Sequence, residues 1–117
     1  MLTGYATNIP LTKNDSLRQK FNYNTNGRQF QFTFLEFGAK GCSACRQMEP
    51  VMADIKKDEG TRIIVIFYNL TTDEGLAYSK IFGVIIIPTQ VILDRNGNEI
   101  FRHTGVIDKN TLLKTMN

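Results

Sequence analysis

Cys42 and Cys45 are the only cysteines in the chain, and they stand as Cys42-Ser43-Ala44-Cys45. The run before them, Phe32-Thr33-Phe34-Leu35-Glu36-Phe37, reads as a buried strand. After them, Met48, Val51, Met52 and Ile55 recur at i, i+3, i+4, i+7, the pattern of one apolar helix face. A helix start offers unpaired backbone N–H groups and the positive end of the helix dipole, which together bring a cysteine pKa from ~8.5 into the range ~3.5 to 7.5. Cys42 falls in the exposed first turn, whereas Cys45 falls at the edge of the apolar stripe. Unequal access of this kind suits a nucleophilic thiol and a sheltered resolving thiol, and it makes thiol–disulfide exchange the leading reading.

Three other readings stay open. A zinc site takes about four ligands, and beyond the two cysteines the chain has one histidine, His103, far away in sequence. Such a site would need carboxylates, and no metal is expected. A purely structural disulfide would close a very short loop and gain little from loop entropy. Two packed, inert cysteines are the third.

At 117 residues, with 42% hydrophobic and 21% charged residues, the chain has the make-up of an ordinary soluble globular domain. No apolar run is long enough to span a bilayer. The net charge of +3 is mild and its 14 basic residues are spread out, so nucleic acid is not an expected partner. No Gly-rich phosphate loop is present, and no cofactor is expected. Residues 1–8 have neither a basic start nor an apolar core, so the chain as given carries no secretory signal. A removed signal or anchor would leave no trace, so the compartment is open, with a cytoplasmic place slightly favoured over an extracytoplasmic one. A monomer is expected.

Residues 1–10 read as an N-terminal extension, poorly ordered at its start, and residues 11–117 as one domain. Asn14, Asp15 or Ser16 is expected to cap a short helix through Leu17 and Phe21, ending near Asn24–Gly27. A strand follows over Phe30–Phe37, then the cysteine helix to about Asp58 with Gly60 as its stop. Arg62–Tyr68, nearly all β-branched or aromatic, predicts a central strand covered on both faces. Thr71 or Thr72 is expected to cap a helix through Ile81, closed by Gly83. A second apolar run, Val84–Leu93, contains Pro88, which read alone suggests a bulge or edge position. Asn96-Gly97 predicts a hairpin into Glu99–His103, and Asp108 a terminal helix. The order β-α-β-α-β-β-α describes an α/β fold with a central mixed sheet flanked by helices. His103 is expected at the surface.

From about Leu11 to Met116 the chain resembles the thioredoxin family. The residues that carry the resemblance are Phe34-Leu35-Glu36-Phe37-Gly38-Ala39-Lys40-Gly41-Cys42-Ser43-Ala44-Cys45, Pro50, Phe82-Gly83-Val84-Ile85-Ile86-Ile87-Pro88-Thr89 and Gly105. The resemblance implies a thioredoxin-like fold and a thiol-disulfide oxidoreductase acting on protein thiols and disulfides, with a second dithiol as electron partner. It implies that Cys42 attacks, Cys45 resolves, and Glu36 is a buried carboxyl that takes the proton of the resolving thiol; a strand-end glutamate in solvent is the alternative for Glu36. Pro88 resembles the family's cis-proline, so Ile87 and Pro88, with Gly41 and Gly105, are expected to bind substrate. Pro50 matches the helix proline, with a structural role. Gly41 stands where many relatives have Trp, Ser43-Ala44 replaces Gly-Pro, and Asn69 stands where a lysine often neighbours the acid. Reductase is the first expectation for direction, with isomerase or oxidase, or a non-catalytic peptide-binding module, as alternatives.

Overall fold

The computed structural model describes residues 13–117; the extension expected over 1–10 and the domain boundary at Leu11 lie outside them. The elements are α1 (Lys13–Arg18), a 3-10 turn (Gln19–Phe21), α2 (Tyr23–Asn26), β1 (Phe32–Gly38), α3 (Ser43–Gln47), α4 (Glu49–Glu59), β2 (Ile63–Asn69), α5 (Asp73–Ile81), β3 (Thr89–Leu93), β4 (Glu99–Thr104) and α6 (Lys109–Lys114). The strands form one sheet in the order β2-β1-β3-β4. β1 runs parallel to β2 and antiparallel to β3, and β3 runs antiparallel to β4. This is the mixed sheet flanked by helices that the sequence predicts.

Residues Thr33 to Gly38 of β1 are all buried, because alternate side chains serve two cores. Leu35 and Phe37 pack with Phe21, Tyr68, Tyr78, Phe82 and Val91 on the α1 and α5 face. Phe34 packs with Met48, Ile55, Ile63, Ile92, Leu112 and Met116 on the α4 and α6 face. Each such side chain contributes roughly 1.5 to 3 kcal/mol by leaving water.

Several elements differ from the sequence reading, each for a physical reason. β2 is an edge strand among the described residues, with Phe67 45% exposed, because the β3–β4 hairpin adds on the far side of β1. The run Val84–Leu93 is strand only from Thr89, since Pro88 has no N–H to give the ladder. The cysteine helix is two helices that meet at Met48. Pro50 lies in the first turn of α4, where its missing N–H leaves no bond unmade. Asn14, Asp15 and Ser16 lie within α1 rather than capping it, whereas Asn22 caps α2 through the Asn24 N–H and Gly27, at φ +79°, ends it.

The hairpin is longer than two residues. Asp94 Oδ1 accepts from the N–H groups of Asn96 and Asn98, and only Gly97 has positive φ. Thr72 and Asp108 cap α5 and α6 through the Gly75 and Thr111 N–H groups, both at 3.0 Å, as predicted. Register sets Thr89 opposite Phe37 on one side and Thr104 on the other. The segments carrying Cys42, Pro88 and Gly105 therefore leave the sheet at one end.

Candidate active site

Cys42 and Cys45 are joined as a disulfide, with their α-carbons 5.2 Å apart. Cys42 caps α3, and its Sγ accepts the N–H of Cys45 at 3.2 Å. In the reduced protein the same donor would favour a thiolate at that sulfur. Cys42 is half-buried, but Cys45 is only 5% exposed. The two sulfurs thus differ in access.

The seat of Cys45 is made by an absent side chain. A Cβ at Gly38 would lie 3.1 Å from Cys45 Sγ and 3.0 Å from the Phe67 ring, so only glycine lets both approach the strand so closely. Two residues back, on the same face, stands Glu36. It is 1% exposed, which rules out a solvent-exposed strand end. Its Oε2 accepts from Gln90 Nε2 at 3.0 Å, and its Oε1 has no partner. Burial pushes its carboxyl up to about 8, against a smaller lowering by Gln90. Asn69, in the place of the family lysine, turns its Oδ1 to the N–H and hydroxyl of Thr71, and among the described residues no cation compensates Glu36.

On the other side, the Ile87–Pro88 peptide is cis. The Pro88 carbonyl accepts from the Gly105 N–H at 2.8 Å, which brings two of the expected substrate-binding residues together. Thr89 Oγ1 donates to the Ile86 carbonyl, and Ile85 and Ile86 stand out of the fold, Ile85 at 90% exposure. Gly41 has φ +87°, with open space where a Cβ would be. A groove of about 680 Å³ runs beside it, floored by Cys45, Met52 and Phe67 and rimmed by Lys40, Arg46 and Lys56.

Sequence reasoning missed Gln90 and misplaced His103. His103 is half-buried, with Nδ1 2.9 Å from Gln90 Oε1. The available signal was a polar residue inside the apolar run Val84–Leu93, but its meaning depends on strand register. Among the described residues no group of three or more His, Cys, Asp or Glu side chains is placed to hold a metal, and no helix is long and apolar enough to cross a membrane.

Residues 20–117 match the model of a thioredoxin-like domain. The chain belongs to that family. Similar proteins include thioredoxin of Rickettsia bellii, 32% identical over 71% of this chain and 76% of its own. Thioredoxin of Chlamydia caviae is 29% identical over 71% and 78% respectively. Among solved structures, thioredoxin-2 of the malaria parasite is similar with a TM-score of 0.65 and 28% identity over 74% of this chain and 81% of that one. A thioredoxin of Nicotiana alata gives 0.65 and 26% over 88% and 85%. Members of the thioredoxin family act on protein thiols and disulfides, and this thioredoxin-like protein carries their Cys-x-x-Cys pair as a disulfide.

Proposed function

We propose that this protein is a reductase of protein disulfides in which Cys42 attacks, Cys45 resolves and Glu36 is the base. The observation that carries the reading is the asymmetry of the pair. Cys42 is accessible and receives an N–H, whereas Cys45 is buried on Gly38, two residues along the same strand face from a buried carboxyl. The Cys42 thiolate adds to one sulfur of the substrate disulfide and expels the other as a thiolate, giving a mixed disulfide. Cys45 then gives its proton to Glu36 and its sulfur attacks Cys42 Sγ, expelling the second substrate thiol. Two electrons pass to the substrate, and the Cys42–Cys45 disulfide remains for an external dithiol to reduce.

A carboxyl raised to about 8 is a far stronger base than an exposed glutamate, so taking a proton from a thiol is much less uphill. Ile87 and Pro88, with Gly41 and Gly105, form the substrate-binding surface. There the exposed backbone before Pro88 can pair with an extended peptide, as at a sheet edge. Pro50 serves the helix join and not the chemistry.

Incubating each single cysteine variant with a disulfide-containing peptide tests the assignment by mass spectrometry. Cys45→Ser should accumulate a mixed disulfide through Cys42, and Cys42→Ser should form none and lose reductase turnover. Equal trapping by both variants would remove the distinction of roles.

A further inference from the structure

The row of residues that crosses the sheet at Glu36 holds more polar chemistry than the exchange itself uses. Register pairs Glu36 with Gln90, and Gln90 with His103. The three side chains therefore stand side by side on the face that α4 and α6 cover. Gln90 is fully buried, and both arms of its amide are engaged, Nε2 by Glu36 Oε2 at 3.0 Å and Oε1 by His103 Nδ1 at 2.9 Å. With its NH2 committed to the carboxylate, the amide carbonyl can only accept, so His103 carries its hydrogen on Nδ1. The bonds run from His103 to Gln90 to Glu36 and leave Glu36 Oε1 bare.

We propose that Gln90 and His103 are positioning residues for the buried base: His103 fixes the amide of Gln90, and the amide holds Glu36 Oε2 so that Oε1 receives the Cys45 proton. This rests on the reading of Glu36 as the base. Little else steadies the carboxylate. β2 sets Phe67 opposite Glu36, α3 sets Cys45 over Gly38, and among the described residues no charged side chain acts on the carboxyl. On β4, the neighbouring Arg102 and Glu99 pair with each other, and Arg102 also bonds the Phe82 carbonyl of the opposite core. A hydrogen bond to an ionised group stabilises that form in particular. Without the amide, the carboxylate is scarcer at a given pH and resolution is slower. The proton balance is that of the exchange: the thiol proton moves to Glu36 Oε1, the Cys45 thiolate displaces the substrate thiolate from Cys42, and none passes to His103 in this step.

The test is stopped-flow release of thionitrobenzoate from its mixed disulfide with Cys42, in the full chain, from about pH 6 to 10. The parent rate should climb to a plateau with a midpoint near 8. Gln90→Met keeps the volume but lacks the amide, and His103→Phe lacks the donor. Both should move the midpoint upward and slow release at pH 7 by about three- to tenfold. His103→Asn keeps an N–H donor in the place of Nδ1 and should return the profile towards the parent. A packing role alone would lower the whole curve without moving its midpoint and would not separate His103→Asn from His103→Phe. An unmoved midpoint in both Gln90→Met and His103→Phe overturns the proposal, and because His103 lies at the partly exposed sheet edge, its variants carry the test if Gln90→Met does not fold. Glu36→Gln separates the two levels. If it moves the rise up to that of the Cys45 thiol alone while the other variants leave the parent midpoint unmoved, only the positioning role falls. If it leaves the rise where the parent has it, the base falls and the positioning role with it.

Discussion

Burial, rather than any charged partner, sets the chemistry of Glu36. Its carboxyl titrates at about 8 in the folded protein against 4.5 in a free chain, so the native state keeps a proton that the unfolded state has already lost. The sign follows from that difference: stability is undiminished below about pH 4.5, declines as the pH rises towards about 8, and levels off above it. Each pH step of one between those two values removes about 1.4 kcal/mol, so the whole loss is no more than about 5 kcal/mol. Glu36→Gln should remove it. Urea unfolding of the oxidised protein at about pH 5, 7 and 9 should show the variant gaining on the parent as the pH rises, whereas a constant difference would mean that Glu36 is already ionised in the fold. In the exchange reaction the same variant should resolve mixed disulfides slowly near pH 7, and its defect should narrow only well above 8, as the parent levels off and the thiol still gains thiolate with pH. A rate ratio that stays flat through pH 9 and beyond would contradict the base. Such residue-scale features are legible in sequence when they travel with a motif. Cys42, Cys45, Glu36 and Pro88 lie in or beside recognisable runs, but Gln90 and His103 acquire meaning only through the register that lines them up with Glu36.

Among the elements, α5 shows how closely the helices must approach the sheet to hold the site end. Gly75 is buried in its first turn, and a Cβ there would run into the backbone carbonyl of Asn69, the last residue of β2. Propensity alone favours Gly75→Ala by about 1 kcal/mol. The overlap is with backbone and no rotamer change relieves it, so the variant should be destabilised by roughly 1 to 3 kcal/mol. Thermal unfolding decides between them, and a raised Tm would contradict the close approach. Local chemistry made the capped ends of α5 and α6 readable, since Thr72 and Asp108 act within their own first turns. The place of β2 was not readable, because a run of Ile, Val, Phe and Tyr looks alike in a central and an edge strand, and strand order is fixed by where the hairpin docks. The break at Met48 was hidden for a related reason: the apolar stripe continues across it, with Met48 and Ile55 in one core, although the backbone does not.

For the whole molecule, two cores on either face of one sheet carry the fold, and the segments with Cys42, Pro88 and Gly105 gather at one sheet end. Neither apolar cluster includes Cys42 or Cys45, so the two cores do not run through the bridge. The dithiol form should therefore be folded, as a cycling enzyme requires. The direction of exchange is a property of the whole protein, because the potential reflects the relative stability of its oxidised and reduced forms. Equilibration of the full chain in a graded series of dithiothreitol or glutathione buffers, read by alkylation of free thiols, shows whether the pair cycles and at what potential. A reductase should show a single two-electron transition, closer to the about −270 mV of thioredoxins than to the about −120 mV of strong oxidants. A Cys42–Cys45 bridge that resists reduction across the whole series would contradict it and leave a peptide-binding module with a permanent disulfide.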